Sequence, residues 1–328
     1  MLYLTTREKF DAFTAARTLA SDHGADGGRY LPYKMPHYSA EEIAALKDMS
    51  FGQTVAQVLN TFFGTRLTTW DVECCIGRFP LKLAVMGQKV FAAECWRNLD
   101  GSYEMLERRL ASRVCADPLC KVTSWLRIAI RIAVLIAVFG ELQRQGMTDA
   151  VDVAVPDGDF TEPMAVWYCR QMGLPIANIV CACSDDSDAW NLLYNGQVRT
   201  AGGVMPELER LIYATLGVDE AIRFSRCCQN EQMYVLPELA LKELRKGIFP
   251  AVVSADRICS AIPNVYRTNS YILEPNAAAA YSGLLDYRAK ERQTRCALLL
   301  VDSNPADDAE EVAAALDIPE SKLKELLR

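Results

Sequence analysis

Three observations predict an α/β protein built in layers around a mostly parallel sheet. From residue 85 onward, four short apolar runs, Val90 to Trp96, Val151 to Val155, Ile176 to Cys183 and Cys296 to Val301, are each bounded by turn residues. That is the pattern of strands buried on both faces of a parallel sheet. Longer helical patterns follow the runs, as crossover connections require. With 328 residues, 51% of them hydrophobic and 23% charged, the chain has a globular composition and enough length to bury a large core without disulfides or metal.

Taken in order, Thr5-Thr6-Arg7-Glu8 and Ser39-Ala40-Glu41-Glu42 both satisfy the S/T-x-x-E capping box and predict two helix starts. Val55, Val58, Leu59, Phe62 and Phe63 recur at helical spacing and predict an amphipathic helix over 52–63. A helix over Tyr103 to Val114, a loop over Cys115 to Cys120 and a long helix from Ser124 to Gln145 fill the space between the first two strands. The acidic stretch Ala306 to Ala314 reads as a solvated helix with acids in its first turn.

The net charge is -7 and the basic residues are scattered, so nucleic acid is not an expected partner. The apolar run Ile132 to Gly140 is far shorter than the roughly 20 residues that span a bilayer, so no membrane association is expected. MLYLTTREKF lacks the basic, apolar and small-residue regions of an export signal, which predicts a cytoplasmic protein. The 12 cysteines, among them Cys74-Cys75, Cys115 and Cys120, Cys181 and Cys183, and Cys227-Cys228, are then expected as reduced thiols. None shows zinc-ribbon spacing, and with only His23 and His37 present no metal site is expected.

Several stretches resemble, in order, the signatures of threonine synthase. Tyr3-Leu4-Thr5-Thr6-Arg7 with Asp26-Gly27-Gly28-Arg29-Tyr30-Leu31-Pro32 resembles Y-x-S-T-R … D-G-G-L-Y-x-P. Thr123 to Arg127 resembles N-S-x-N-W-x-R, and Val155 to Phe160 with Met172 to Ile176 resembles V-P-x-G-N-F-G … M-G-L-P-I. Pro206 to Leu211 resembles P-S-N-F-E-R-L, and Tyr271 to Ala278 resembles Y-x-x-D-P-H-T-A. The resemblance implies the three-layer large domain of fold type II pyridoxal-phosphate (PLP) enzymes. It also implies the chemistry of a lyase that converts phosphohomoserine to threonine, with a lysine forming a Schiff base to the cofactor.

The chemistry-bearing positions depart from that pattern. Laid without gaps, F-H-G-P-T-x-A-F-K-D falls on Trp96 to Met105 and puts Glu104 at the lysine, where no imine can form. Lys82 and Lys89 are the nearest upstream alternatives. The phosphate-binding G-N-F-G becomes Gly158-Asp159-Phe160-Thr161, followed by Glu162. Each carboxylate set against a phosphate costs on the order of 1 to 4 kcal/mol. T-A-H-P-A-K-F becomes Asp302-Ser303-Asn304-Pro305-Ala306-Asp307-Asp308, and the late histidine becomes Asn276. No cofactor is therefore expected to bind.

The resemblance further implies that a mobile lid subdomain is missing, replaced by a short bridge near 112–122. The expected organisation is a mainly helical N-terminal segment, 1–84, and an α/β large domain, 85–328. Trp125 and Ile128 to Phe139 are the candidates for a surface bared by that deletion, which a second copy or a protein partner would cover. Three functions stay open. The first is a catalytically inactive homologue acting by binding or assembly, the second a PLP enzyme with a displaced lysine. The third is a module binding an acidic metabolite through Arg127, Arg210 and Asn276.

Overall fold

A computed structural model describes residues 1–8, 10–77, 81–87 and 89–327. Its centre is a six-stranded sheet in the order Ile248–Val252, Ile176–Cys183, Val151–Pro156, Ala297–Val301, Val90–Glu94, Lys82–Met86. The first five strands run parallel, and Lys82–Met86 closes one edge antiparallel to Val90–Glu94. The four strands read from the sequence are present. The two edge strands were not read, and their composition explains why: Ile248–Val252 carries Pro250, which an edge strand tolerates, and Lys82–Met86 lacks a continuous apolar pattern. Because Lys82–Met86 belongs to this sheet, the α/β layer begins before residue 84.

Side chains alternate across the sheet, so each strand feeds two cores. Leu298 and Leu300 face the layer of the long helix Ser124–Arg144, whereas Ala297, Leu299 and Val301 face the helices Ala255–Asn269 and Pro275–Glu291. The long helix is also covered by the helices Phe51–Phe63 and Thr161–Gln171. Trp125 and the apolar residues of Ile128 to Phe139 are consequently buried, so the docking surface expected there is interior. Trp125 meets Tyr3, Phe62 and Tyr168 edge-on at 5.9, 5.6 and 5.7 Å. Such pairs add about 0.5–1.5 kcal/mol each beyond area burial. Among the described residues, no helix is long and apolar enough to cross a membrane.

Three local expectations were tested directly by this geometry. Ser39 and Glu42 form their capping box and start the helix Ala40–Ala45. Thr5 and Glu8 start none: Leu2–Thr5 is a strand between Phe13–Thr14 and Tyr30–Pro32. The hydroxyls there are committed elsewhere, Thr5 to Asp26 at 2.5 Å and Thr6 to Glu209. The expectation of reduced thiols fails at one pair, since Cys115 and Cys120 form a disulfide. The turn after the helix Tyr103–Cys115 brings their Cα atoms to 6.2 Å, within bridging range.

Candidate functional site

In open α/β sheets ligands bind outside the carboxyl ends of the strands. Here that rim is formed by Cys95 after Val90–Glu94, Asp157 to Phe160 after Val151–Pro156, and Asp302 after Ala297–Val301. Opposite them, Arg127 and Arg131 project from one face of the long helix, four residues apart. Glu107 reaches in from the helix Tyr103–Cys115, whose buried face is Tyr103, Leu106, Glu107, Leu110, Ala111 and Val114.

Arg131 is the hub. Its guanidinium lies 2.8 Å from Glu107 and 2.9 Å from Asp302, pairs with Glu162, and sits 4.7 Å from the centre of the Tyr103 ring. Arg127 lies 3.4 Å from Asp159 and 3.6 Å from Glu107. Burial opposes the charge on Arg131, but Asp302 and Glu107 hold it well above the usual arginine range. Burial also pushes the Glu107 carboxyl above its ordinary range, against the pull of Arg131 and Arg127.

The turn that would cradle a phosphate bonds to itself. The Gly158 N–H donates to Asp157 Oδ1 at 2.9 Å, the Phe160 N–H to the Asp157 carbonyl at 2.6 Å, and the Thr161 N–H to Asp159 Oδ1 at 2.9 Å. Phe160 is buried in the left-handed region (φ 68°) just before the helix Thr161–Gln171, a conformation uncommon for a side chain of its size. Asp159 and Glu162 thus supply the negative charge that a helix N-terminus attracts.

Around this centre the remaining candidates separate. Glu104 points outward, 66% exposed and 2.6 Å from Arg108, because the helix phase set by Tyr103, Leu106 and Leu110 turns it from the cleft. Arg210 is fully buried, pairing with Glu207 and donating to the Tyr30 carbonyl at 2.8 Å and to Ser124 Oγ at 3.0 Å. It therefore cannot meet a ligand, contrary to the expectation above. Asn304 accepts from the Ala306 N–H at 3.0 Å within a turn. Asn276 is exposed, and its N–H donates to buried Glu274, which also accepts from the Ala277 N–H at 2.6 Å. Burial, with Asp302 and Asp308 adding to it, raises Glu274 to about 8 although those two N–H groups oppose the shift. Lys82 is paired in register with Glu94, at the carboxyl end of that strand, whereas Lys89 precedes Val90 at the other end.

Sequence reasoning missed Glu107 and passed over Arg131. Arg131 had a signal in its spacing from Arg127 beside an apolar run, whereas Glu107 is marked only by the helical face that packing buries.

The fold and rim define the class: the chain has the α/β architecture of fold type II PLP enzymes. It superposes on a PLP-bound threonine synthase from Brucella melitensis with a TM-score of 0.82 at 18% identity, covering 100% of this chain and 94% of that one. Against a threonine synthase from yeast the TM-score is 0.81 at 14% identity, covering 99% and 93%. More narrowly, residues 2–78 match the family described as Threonine synthase N terminus, and the chain is similar in sequence to threonine synthases and threonine synthase-like proteins. It is 24% identical over 229 residues to threonine synthase of Schizosaccharomyces pombe, spanning 59% of this chain and 44% of that protein. It is 23% identical over 176 residues to threonine synthase-like 1 of Homo sapiens, spanning 48% and 24%. The matched stretches thus span less than half the length of these curated relatives.

Proposed function

We propose that this chain is a threonine synthase-like protein without PLP-dependent catalysis, acting through binding or assembly. The observation that carries the reading is the turn 157–161, three of whose N–H groups bond within it, beside a cluster of Arg127, Arg131, Glu107, Asp159, Glu162 and Asp302. The cofactor's phosphate needs free N–H donors or cations. On this rim the Gly158, Phe160 and Thr161 N–H groups are already bonded within the turn, and both guanidiniums are in ion pairs with carboxylates. These residues do not fit the cofactor, and none of the cluster members is a lysine. The disulfide-closed bridge between the helices Tyr103–Cys115 and Ser124–Arg144 supports the same reading, since a lid that excludes water would be inserted there.

A second reading has one observation in its favour: Lys82 stands at the strand end where a displaced amine would be needed. Supplying the protein with PLP and phosphohomoserine separates the two. Our reading expects no threonine and no phosphate above the protein-free rate; turnover abolished by Lys82→Ala would establish the second. An acidic-metabolite site is the weakest reading, because Arg127 and Arg210 are both engaged by carboxylates.

A further inference from the structure

We propose that Cys115 and Cys120 form a reversible redox site, a disulfide that exchanges with small thiols and latches the two helices that build the cleft. This inference stands apart from whether the cleft is catalytic. It rests on where the bridge lies and on how exposed the loop between its two half-buried cysteines is.

Cys115 is the last residue of the helix that carries Tyr103 and Glu107, and Cys120 lies just before the helix that carries Arg127 and Arg131. The bond therefore closes the one connection between the two sides of the Glu107–Arg131 contact. The loop it closes is exposed: Ala116, Asp117 and Pro118 are at the surface and Leu119 is 89% exposed. It is held otherwise by four backbone N–H hydrogen bonds: Ala116 to the Arg113 carbonyl, Asp117 to the Ser112 carbonyl, Leu119 to Asp117 Oδ1, and Cys120 to the Asp117 carbonyl. A bridge across so few residues constrains the unfolded chain little, so this bond does less for stability than one closing a long loop.

Beside the loop opens a pocket of about 520 Å³, lined by Ala116, Asp117 and Pro118 together with Cys74, Arg109 and Arg113. The pocket flanks the loop rather than the sulfurs themselves, and its arginines are paired, Arg109 with Asp100 and Arg113 with Asp71 at 3.7 Å, so a small thiol reaches the bond only where the exposed loop opens. The buried thiols form the contrast. Burial alone pushes Cys169 far above the thiol range, it leads among the causes at Cys95, and it adds to a hydrogen bond from Cys183 at Cys181, so these three are chemically quiet.

The exchange balances with a low-molecular-weight thiol of the glutathione class as reductant. One thiolate attacks the Cys115–Cys120 bond to form a mixed disulfide and releases one cysteine; a second small thiol then displaces the other. The protein's S–S bond is broken, one small disulfide is formed, and the two protons of the small thiols end on Cys115 and Cys120. Oxidised glutathione drives the reverse.

The test uses the full chain equilibrated in glutathione buffers from fully reduced to fully oxidised, then quenched, denatured and alkylated. The oxidised limit should show 10 modified thiols of the 12 present, with peptide mapping assigning the missing pair to Cys115 and Cys120, and the reduced limit should show all 12. Intermediate buffers should populate both forms. Tryptic cleavage at exposed Lys121 of the native protein should speed up about tenfold on reduction, because the latch no longer suppresses local opening. A Cys115→Ser/Cys120→Ser variant should cleave at the fast rate in every buffer. The proposal is overturned if the bond survives excess reduced glutathione, if it never forms, if it maps to Cys74 or Cys75, or if reduction leaves cleavage unchanged. Should the variant not fold, the wild-type alkylation and cleavage series decides alone.

Discussion

Acids are handled in opposite ways at the two ends of this molecule. Around the N-terminal segment each acid has partners of its own: Asp71 caps its helix through Thr68, and from the helix Glu207–Leu216 packed against that segment Glu209 accepts from Thr6 and Arg7 while Glu207 pairs with Arg210. Around the strand ends, Glu107, Asp159, Glu162 and Asp302 share only Arg127 and Arg131, with Glu274 buried near Asp302. The side-chain hydrogen bond from Thr68 leads in holding Asp71 below the ordinary carboxylate range, whereas burial leads in raising Glu107 and Glu274. Matched acids make a scaffold that is costly to alter. Crowded acids make a site held together by two shared cations.

The sharpest way to break this contrast is Arg210→Ala. It strands Glu207 in the interior and should cost about 3–5 kcal/mol in urea unfolding. Arg131→Met comes next, with an expected loss of about 2–4 kcal/mol at pH 8. That loss should shrink toward pH 5, because Glu107 can then take a proton instead of remaining an unpaired buried anion. Equal losses at both pH values would remove the distinction between the two regions.

A third effect, spread over several pH units, is the pH profile of the intact protein. Glu274 has a folded-state pKa of about 8, above its unfolded value near 4.5, so the folded state binds the extra proton between those limits. Its contribution is therefore fully present below about pH 4.5 and is lost as pH rises toward 8, with a slope of up to about 1.4 kcal/mol per pH unit. Asp71 has the opposite sign: its contribution is present above the unfolded carboxylate pKa and is lost as pH falls through its lowered folded value. Chemical denaturation from pH 3 to 9 should show both limbs, and Glu274→Gln should flatten only the upper one. Smallest of all, Asp159→Asn should change stability by no more than about 0.5 kcal/mol, since Asp159 is 57% exposed and asparagine can still accept from the Thr161 N–H.

Much of the fold was legible because the inner strands are continuously apolar and the helices strongly periodic. The run Ile176 to Cys183 reappears with the same ends, and Val90, Val151 and Ala297 begin or nearly begin their strands. The edge strands carry Pro250 or exposed positions such as Val85, so local pattern says little about them. At the site, Asp159, Asp302 and Arg127 could be found from motif positions. Glu107 could not, because its role depends on which face of a helix tertiary packing buries. The same packing turned Glu104 outward and buried Arg210 and Trp125, three positions that motif placement, charge or the missing lid had put at a cleft or a partner surface.

The central claim is that the cleft's own side chains occupy the place and the bonding groups of a cofactor. It is tested most directly by incubating the purified chain with excess PLP, adding borohydride and measuring the intact mass. The account predicts an unmodified cleft: any label should be sub-stoichiometric, scattered over surface lysines and indifferent to Arg131→Met. One phosphopyridoxyl group per chain on a single lysine, Lys82 above all, with a visible absorbance band before reduction, would contradict it.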